Sequence, residues 1–409
     1  MRRAALVFGL LVLAGCEPEA LPLPPTPDDA GTVEAPDAST PTVDSGAVDA
    51  GSAPIVDAGV TPFDAGLVSD GGVATARLVV GLGTGQLVAW PFGLEDATVG
   101  DAVVAELGAP LSAVARRPGT STYVVATQQG SSLAVFQVVR LEADGRWTVR
   151  PGGPVGARDV GAMTFDATGS WLLFVTQGAF RVARFNADET LGSSRSVYSC
   201  DAQALLETPA GFLGTCRSES RLVRFDFTAA AGPSNARVQS QLPGGFNPVG
   251  LIPFGAMVAL HGAKANGVMG SENRAGLVTP TGTSMSTSVV LKPPNSEMSA
   301  VYATVAAAHP TLRVGYFVNG GSFAYGGNNL AVVGGTASDG LEVRQYVSLP
   351  WDNSYNSGAV AVTPDGRWLL VGTNVVSEVR AWPIDPATGR LGTSRVPVLA
   401  DEPVFIEVR

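Results

Sequence analysis

Thr363-Pro-Asp-Gly-Arg-Trp368-Leu-Leu-Val-Gly-Thr373 and Phe165-Asp-Ala-Thr-Gly-Ser-Trp171-Leu-Leu-Phe-Val-Thr176 are two copies of one pattern. In each, a tight turn carrying a glycine precedes a tryptophan and a run of apolar residues. A turn followed by a short, unbroken apolar run reads as a strand buried on both faces. A second pattern follows it: Leu or Val, two residues, then an aromatic. It occurs at Leu87 to Trp90, Leu133 to Phe136, Val182 to Phe185, Leu222 to Phe225 and Val379 to Trp382, in steps of 46, 49, 40 and 157 residues. The last step equals three of about 52, which leaves room for two divergent units. A third piece comes next, Leu191-Gly192-Ser193 and Leu391-Gly392-Thr393, a turn before another strand.

One unit is therefore an inner strand, a turn, a buried strand, a third strand, a turn and an edge strand. Four-stranded units repeating every 40–50 residues or so are the blades of a β-propeller. The expected fold class is all-β, a seven-bladed β-propeller. Inner strands of blades two to seven are expected to start near Leu111, Gly161, Gln203, Pro248, Ser299 and Gly358. Blade one starts at Arg77 with a buried strand and lacks an inner strand. Pro403-Val-Phe-Ile-Glu-Val408 alternates like a strand and has no blade of its own. It is expected to fill the vacant place, so that the C-terminal strand closes the ring without leaving an open edge.

Composition agrees with this reading. The 409 residues include 50 Gly and 29 Pro, and only 15% are charged, as in a turn-rich all-β chain. The net charge of −10 is unevenly placed. Residues 17–75 hold eleven Asp or Glu and no Lys or Arg. Setting these and Arg2 and Arg3 aside from the 36 acidic and 26 basic residues leaves 25 and 24, an almost neutral remainder. A nucleic-acid partner needs a basic surface and is not expected.

The N-terminus predicts export. Arg2-Arg3 precede an apolar run from Ala4 to Ala14, too short to span a ~30 Å hydrocarbon core as a helix and of the length of a signal-peptide core. Leu13-Ala14-Gly15-Cys16 resembles the bacterial lipobox. The resemblance implies cleavage before Cys16 and lipidation of its thiol, which anchors the protein in a membrane. Glu17 follows, whereas lipoproteins kept in the inner membrane often carry Asp there; the similarity favours the outer membrane of the cell envelope. The expected domains are a signal peptide over 1–15, lipidated Cys16 with an acidic Pro/Ala/Asp-rich disordered tether over 16–75, and the propeller over 76–409. The tether repeats Asp-Ala-Gly and has too little apolar surface to offset the entropy of ordering.

In an exported domain, the remaining cysteines, Cys200 and Cys216, are expected to form a disulfide; two buried thiols are the alternative. An inner strand near 202–206 and a buried strand near 212–216, folded about Thr208-Pro209, would pair positions summing to 416 or 417, which sets the two cysteines opposite each other.

The stretch from Val360 to Asn374, continuing from Val379 to Leu391, resembles a blade of the lactonase-type seven-bladed propellers, the 6-phosphogluconolactonase-like and YVTN-repeat proteins. Residues 161–192 match the same pattern. The matching residues are structural, so the resemblance implies the fold and transfers no catalytic residue.

No G-x-S-x-G, H-E-x-x-H, C-x-x-C, P-loop or G-x-G-x-x-G motif occurs, and there are two histidines, His261 and His309. His309, beside Pro310, reads as a turn residue. Loops after buried strands and before inner strands gather at one face of a propeller. Here they hold Gln128, Gln129, Arg158, Asp159, Gln177, Arg217, Asn247, His261, Glu272, Asn319, Asn356 and Asn374, with long loops over 262–273 and 319–327. Amides outnumber acids and bases, which favours hydrogen-bonded recognition over hydrolysis. Arg158, Asp159, Asn247, His261, Glu272, Asn319 and Asn356 are the candidate binding face. The charged combinations fit for a reaction are Arg158 with Asp159 and His261 with Glu272.

The expected function is a membrane-anchored binding or scaffold module of the envelope, with a protein or polysaccharide partner. The alternative is a lactonase-type hydrolase acting on a small sugar-derived lactone. No cofactor or protein-held metal is expected for the first; the second would admit a divalent cation in the central channel.

Overall fold

A computed structural model describes residues 75–409 except 131, 155, 244, 266–270, 283–284, 286–287, 292–301, 321–328, 336–339, 350–356 and 374–376. The leader, Cys16, the acidic tether, Asn356 and Asn374 lie outside the described residues.

The described residues form seven four-stranded antiparallel sheets. Blade 1 contains β1 (Thr75–Leu82), β2 (Gln86–Gly93) and β3 (Val103–Glu106). Blade 2 is β4 (Leu111–Arg116), β5 (Thr122–Thr127), β6 (Val135–Leu141) and β7 (Trp147–Pro154). Blade 3 is β8 (Met163–Phe165), β9 (Trp171–Thr176), β10 (Ala179–Arg184) and β11 (Arg195–Ser199). Blade 4 is β12 (Ala202–Thr208), β13 (Gly211–Cys216), β14 (Arg221–Thr228) and β15 (Gly232–Gln241). Blade 5 is β16 (Phe246–Phe254), β17 (Met257–Ala265), β18 (Ser271–Val278) and β19 (Val289–Val290). Blade 6 is β20 (Tyr302–Ala308), β21 (Val314–Gly320), β22 (Asn329–Gly335) and β23 (Leu341–Ser348). Blade 7 is β24 (Ser357–Val362), β25 (Trp368–Thr373), β26 (Glu378–Pro383) and β27 (Arg395–Leu399).

The last strand, β28 (Pro403–Val408), pairs with β1 as the innermost strand of blade 1, with Val408 opposite Leu78 and Ile406 opposite Val80. Each innermost strand touches the next, and β24 touches β28, so the seven blades form a closed ring.

The quoted runs show what holds the ring. On β9, Trp171, Leu173 and Val175 enter the core shared with blade 4, while Leu172 and Phe174 enter the core shared with blade 2. On β25, Trp368 and Leu370 face blade 1 and Leu369 and Val371 face blade 6. Successive side chains leave a strand on opposite faces. Both faces are buried here, so the run is apolar throughout. Each of the seven blade interfaces holds one such hydrophobic cluster. The turns before both tryptophans place Gly169 and Gly366 at φ of 64° and 73°, in the left-handed region open to glycine. Each indole N–H then donates across to the next blade, Trp171 to the Ala229 carbonyl at 2.9 Å and Trp368 to the Leu94 carbonyl at 2.7 Å.

Two expectations need correction. The β12–β13 hairpin pairs Thr208 with Gly211 and Leu205 with Gly214, sums of 419, and a bulge between Ala202 and Ala204 shifts the register by one. The turn thus falls one residue later than expected, and Cys200 lies outside the ladder. The cysteines still meet, at an Sγ–Sγ distance of 2.08 Å, because the Ala202 N–H donates to the Cys200 carbonyl and the Arg217 N–H to the Asp201 carbonyl, which holds residues 200–202 against the end of β13. Second, the segment 262–273 is not a long loop. Strands β17 and β18 continue to Ala265 and from Ser271, pairing down to Ala265 opposite Ser271.

Candidate functional site

Polar residues at the two ends of the innermost strands behave differently. At the end predicted to bind, Gln128 and Asp159 do come together. The Asp159 backbone N–H donates to Gln128 Oε1 at 2.9 Å, and Gln128 Nε2 to Asp159 Oδ1 at 3.4 Å. Asp159 adopts φ of 51°. Arg158, Gln129 and Gln177 are exposed. Arg217 pairs with Asp201 at 3.0 Å beside the disulfide. Burial opposes ionisation of Asp201, but hydrogen bonds from Ser218 and Arg217 hold its carboxyl below the usual range.

The other members of that face are strand residues. His261 is on β17, opposite Gly250 of β16, and only 2% exposed. A Cβ at position 250 would lie 2.0 Å from its Nε2, so the glycine makes room for the imidazole. The ring packs edge-on to Phe317 at 5.5 Å, and Nδ1 has no hydrogen-bond partner. Burial lowers its pKa to about 4, so it is neutral at pH 7. Glu272 does not join it; Glu272 pairs with Arg274 at 2.6 Å on its own strand. Asn319, on β21, is fully buried. It accepts from Asn273 at 3.1 Å and donates to Asn329 at 2.9 Å and to the Leu291 carbonyl at 3.0 Å, joining blades 5 and 6. Asn247 is half-buried on β16, opposite Ala263. The expectation that His261, Glu272, Asn319 and Asn247 sit in loops is corrected: lengthened strands and interblade hydrogen bonds take them up. His309 is the turn residue expected. Its Nδ1 accepts from the Leu312 and Thr311 backbones at 2.9 and 3.1 Å, which leaves Nε2 to donate to the Gly366 carbonyl at 3.1 Å.

At the opposite end, residues of β28, β4, β8 and the turn after β4 line an open pocket of about 330 Å³. Arg116, the last residue of β4, and Glu407 of β28 line it together, with Arg116 Nε 2.6 Å from Glu407 Oε1. Tyr123 of β5, paired with Arg116, donates its hydroxyl to Glu407 Oε2 at 3.1 Å. Arg409 lies over the Tyr123 ring at 5.7 Å. Burial pushes the Glu407 carboxyl above the usual carboxylate range, against the pull of Arg116, Tyr123 and Arg409. Burial and the charge of Glu407 drive the Tyr123 phenol far up, so it stays protonated and donates. The Glu407 side chain keeps 21% of its surface exposed, and its two carboxylate oxygens face Arg116 and the Tyr123 hydroxyl. Chemically this is a carboxylate of raised basicity beside a guanidinium, an arrangement for moving a proton next to developing negative charge.

Neither Arg116 nor Glu407 was singled out in the sequence. The available signal was a lone acid in Pro403-Val-Phe-Ile-Glu-Val408, a strand otherwise apolar and expected to be innermost. Among the described residues one group of three metal-ligand types lies close together, Cys200, Cys216 and Glu219; the disulfide occupies both sulfurs.

No protein-family model and no curated protein matches the chain. Solved structures do. A candidate 6-phosphogluconolactonase from Bacteroides uniformis aligns over 82% of this chain and 99% of its own, with TM-score 0.69 and 14% identity. A candidate 6-phosphogluconolactonase from Bacteroides fragilis covers 82% and 98%, at TM-score 0.64 and 14% identity. The periplasmic gluconolactonase of Pseudomonas aeruginosa covers 82% and 99%, at TM-score 0.64 and 15% identity. At these identities the likeness shows the fold, the seven-bladed propeller shared with proteins named as lactonases.

Proposed function

We propose that the propeller is a lactone hydrolase, with Glu407 as general base and Arg116 as the stabiliser of negative charge. The pairing of these two side chains in the pocket is the observation that carries this reading, and the shared fold with proteins named as lactonases supports it. In the reaction, Glu407 takes a proton from water as the water oxygen bonds to the lactone carbonyl carbon. The carbonyl oxygen becomes an oxyanion beside Arg116. The ring C–O bond then breaks, and the departing alkoxide takes the proton back from Glu407, giving a hydroxy acid. Tyr123 positions Glu407 through its hydrogen bond to the second carboxylate oxygen. The test is acid release from a panel of γ- and δ-lactones. Glu407→Gln should lower kcat by roughly 10²–10⁴-fold in protein that circular dichroism shows to be folded. Because Glu407 must be ionised and its pKa is raised, activity should increase with pH through a midpoint above 4.5. Full activity in Glu407→Gln would refute the assignment.

A second reading, recognition of an envelope protein or polysaccharide, is favoured by polar groups at the other end of the blades: the hydrogen-bonded Gln128 and Asp159, exposed Arg158, and Arg217 paired with Asp201. For either reading we propose that Cys16 carries the lipid and holds the domain on the envelope, in the outer membrane. Cys16→Ser should abolish incorporation of labelled palmitate and move the protein from the membrane to the soluble fraction. Unchanged labelling would refute the anchor.

A further inference from the structure

We infer that the ligand of the Arg116–Glu407 pocket is an uncharged lactone bearing an alkyl chain, not a phosphorylated or polyhydroxylated sugar lactone. The inference takes its reaction from the hydrolase reading and its ligand class from the pocket wall.

Charge is the first consideration. Among the described residues the lining holds one cation and one anion, and they are already paired at 2.6 Å. A phosphoryl group would bring up to two further negative charges next to Glu407 with no second cation in the lining. The neighbouring arginines are engaged elsewhere. Arg117 donates to the Gly169 carbonyl at 3.1 Å and lies over the Phe185 ring at 5.0 Å. Arg409 lies over the Tyr123 ring and is not among the lining residues. Withdrawing a dianion from water without a counter-charge is strongly unfavourable.

Hydrogen bonding is the second. A sugar lactone carries a hydroxyl on nearly every ring carbon, and each needs a partner once it leaves water. Among the described lining residues, Thr164 is the one with a polar side chain besides the ion pair, and its hydroxyl already donates to the Phe165 carbonyl at 3.2 Å. The walls are instead Val114, Pro118, Met163, Phe165, Phe405 and Ile406. Such a surface gains from burying methylenes, and an unbranched methionine adapts to a flexible chain.

The experiment compares kcat/KM of the full-length protein for γ-butyrolactone, γ-hexanolactone, γ-nonanolactone, glucono-δ-lactone and 6-phosphoglucono-δ-lactone. The expected result is a rise of about 4-fold per added methylene until the pocket is filled. Both sugar lactones should fall at least 10-fold below γ-nonanolactone. Equal or better turnover of either sugar lactone would overturn the ligand class and leave the hydrolase reading standing. Calorimetric binding of the matching γ-alkyl lactams, which resist hydrolysis, separates the two claims. Affinity rising with chain length, without turnover of any lactone, would uphold the ligand class and remove the reaction. Absence of both chain-length-dependent binding and turnover would overturn the inference.

Discussion

His261 shows how one buried side chain couples the fold to pH. Its ring fills the space left by Gly250, and burial lowers its pKa from 6.5 to about 4. The folded state therefore favours the neutral ring, while the unfolded chain protonates near 6.5. The contribution is complete above pH 6.5 and is lost as pH falls through about 4. Between those limits the wild type should lose about 3 kcal/mol more than His261→Leu, measured by urea unfolding at each pH. Parallel curves would show that His261 has no such role. Burial lowers His309 as well, so both histidines act in the same direction. As sequence, His261 reads as a polar loop residue following a buried strand. Its burial depends on a glycine across the hairpin, which pairing alone brings opposite.

At the scale of the element, the Trp-Leu-Leu strands were legible because a strand buried on both faces has a simple signature. The divergent units were not so legible. In blade 5, β16 carries Asn247, Pro248 and Gly250 and bulges between Pro248 and Gly250. Pro248 cannot donate to the ladder, and the glycine marks a close approach of a side chain, so local propensity alone argues against a strand. Blade 4 depends on a further constraint. The Cys200–Cys216 bridge closes a 16-residue separation across a hairpin whose register slips at a bulge. Removing it with Cys200→Ala and Cys216→Ala together should cost about 3 kcal/mol in urea unfolding. Adding reductant to the wild type should cost a similar amount and leave the double variant unaffected. Equal stability with and without reductant would show that the bridge adds nothing.

For the whole molecule, the decisive element is β28. It supplies the inner strand of blade 1, adds Ile406 and Val408 to the core shared by blades 1 and 7, and carries Glu407. Ending the chain at Asp401 should remove stability on the order of 5–10 kcal/mol, comparable to the total of many domains. The measurement is thermal unfolding by circular dichroism with dye binding to exposed apolar surface. An unchanged midpoint without added dye binding would show that the ring does not need its closing strand. The same truncation should abolish lactone hydrolysis, since the proposed base leaves with the strand.

The sequence by itself determined the period of the units, their number, the missing inner strand of blade 1 and the segment that fills it. These follow from local properties: alternation, turn chemistry and apolar runs repeat along the chain wherever a blade is built. Tertiary structure alone decided the candidate site. Arg116 and Glu407 are 291 residues apart in sequence and meet at 2.6 Å because the ring closes end to beginning. It likewise withdrew Asn319 and His261 into the core, since the interblade amide contacts and the opposing glycine exist only once the strands are paired and the blades packed. Periodicity records which strand a residue occupies; its neighbours across a hairpin, an interface or a closed ring are set by register and closure.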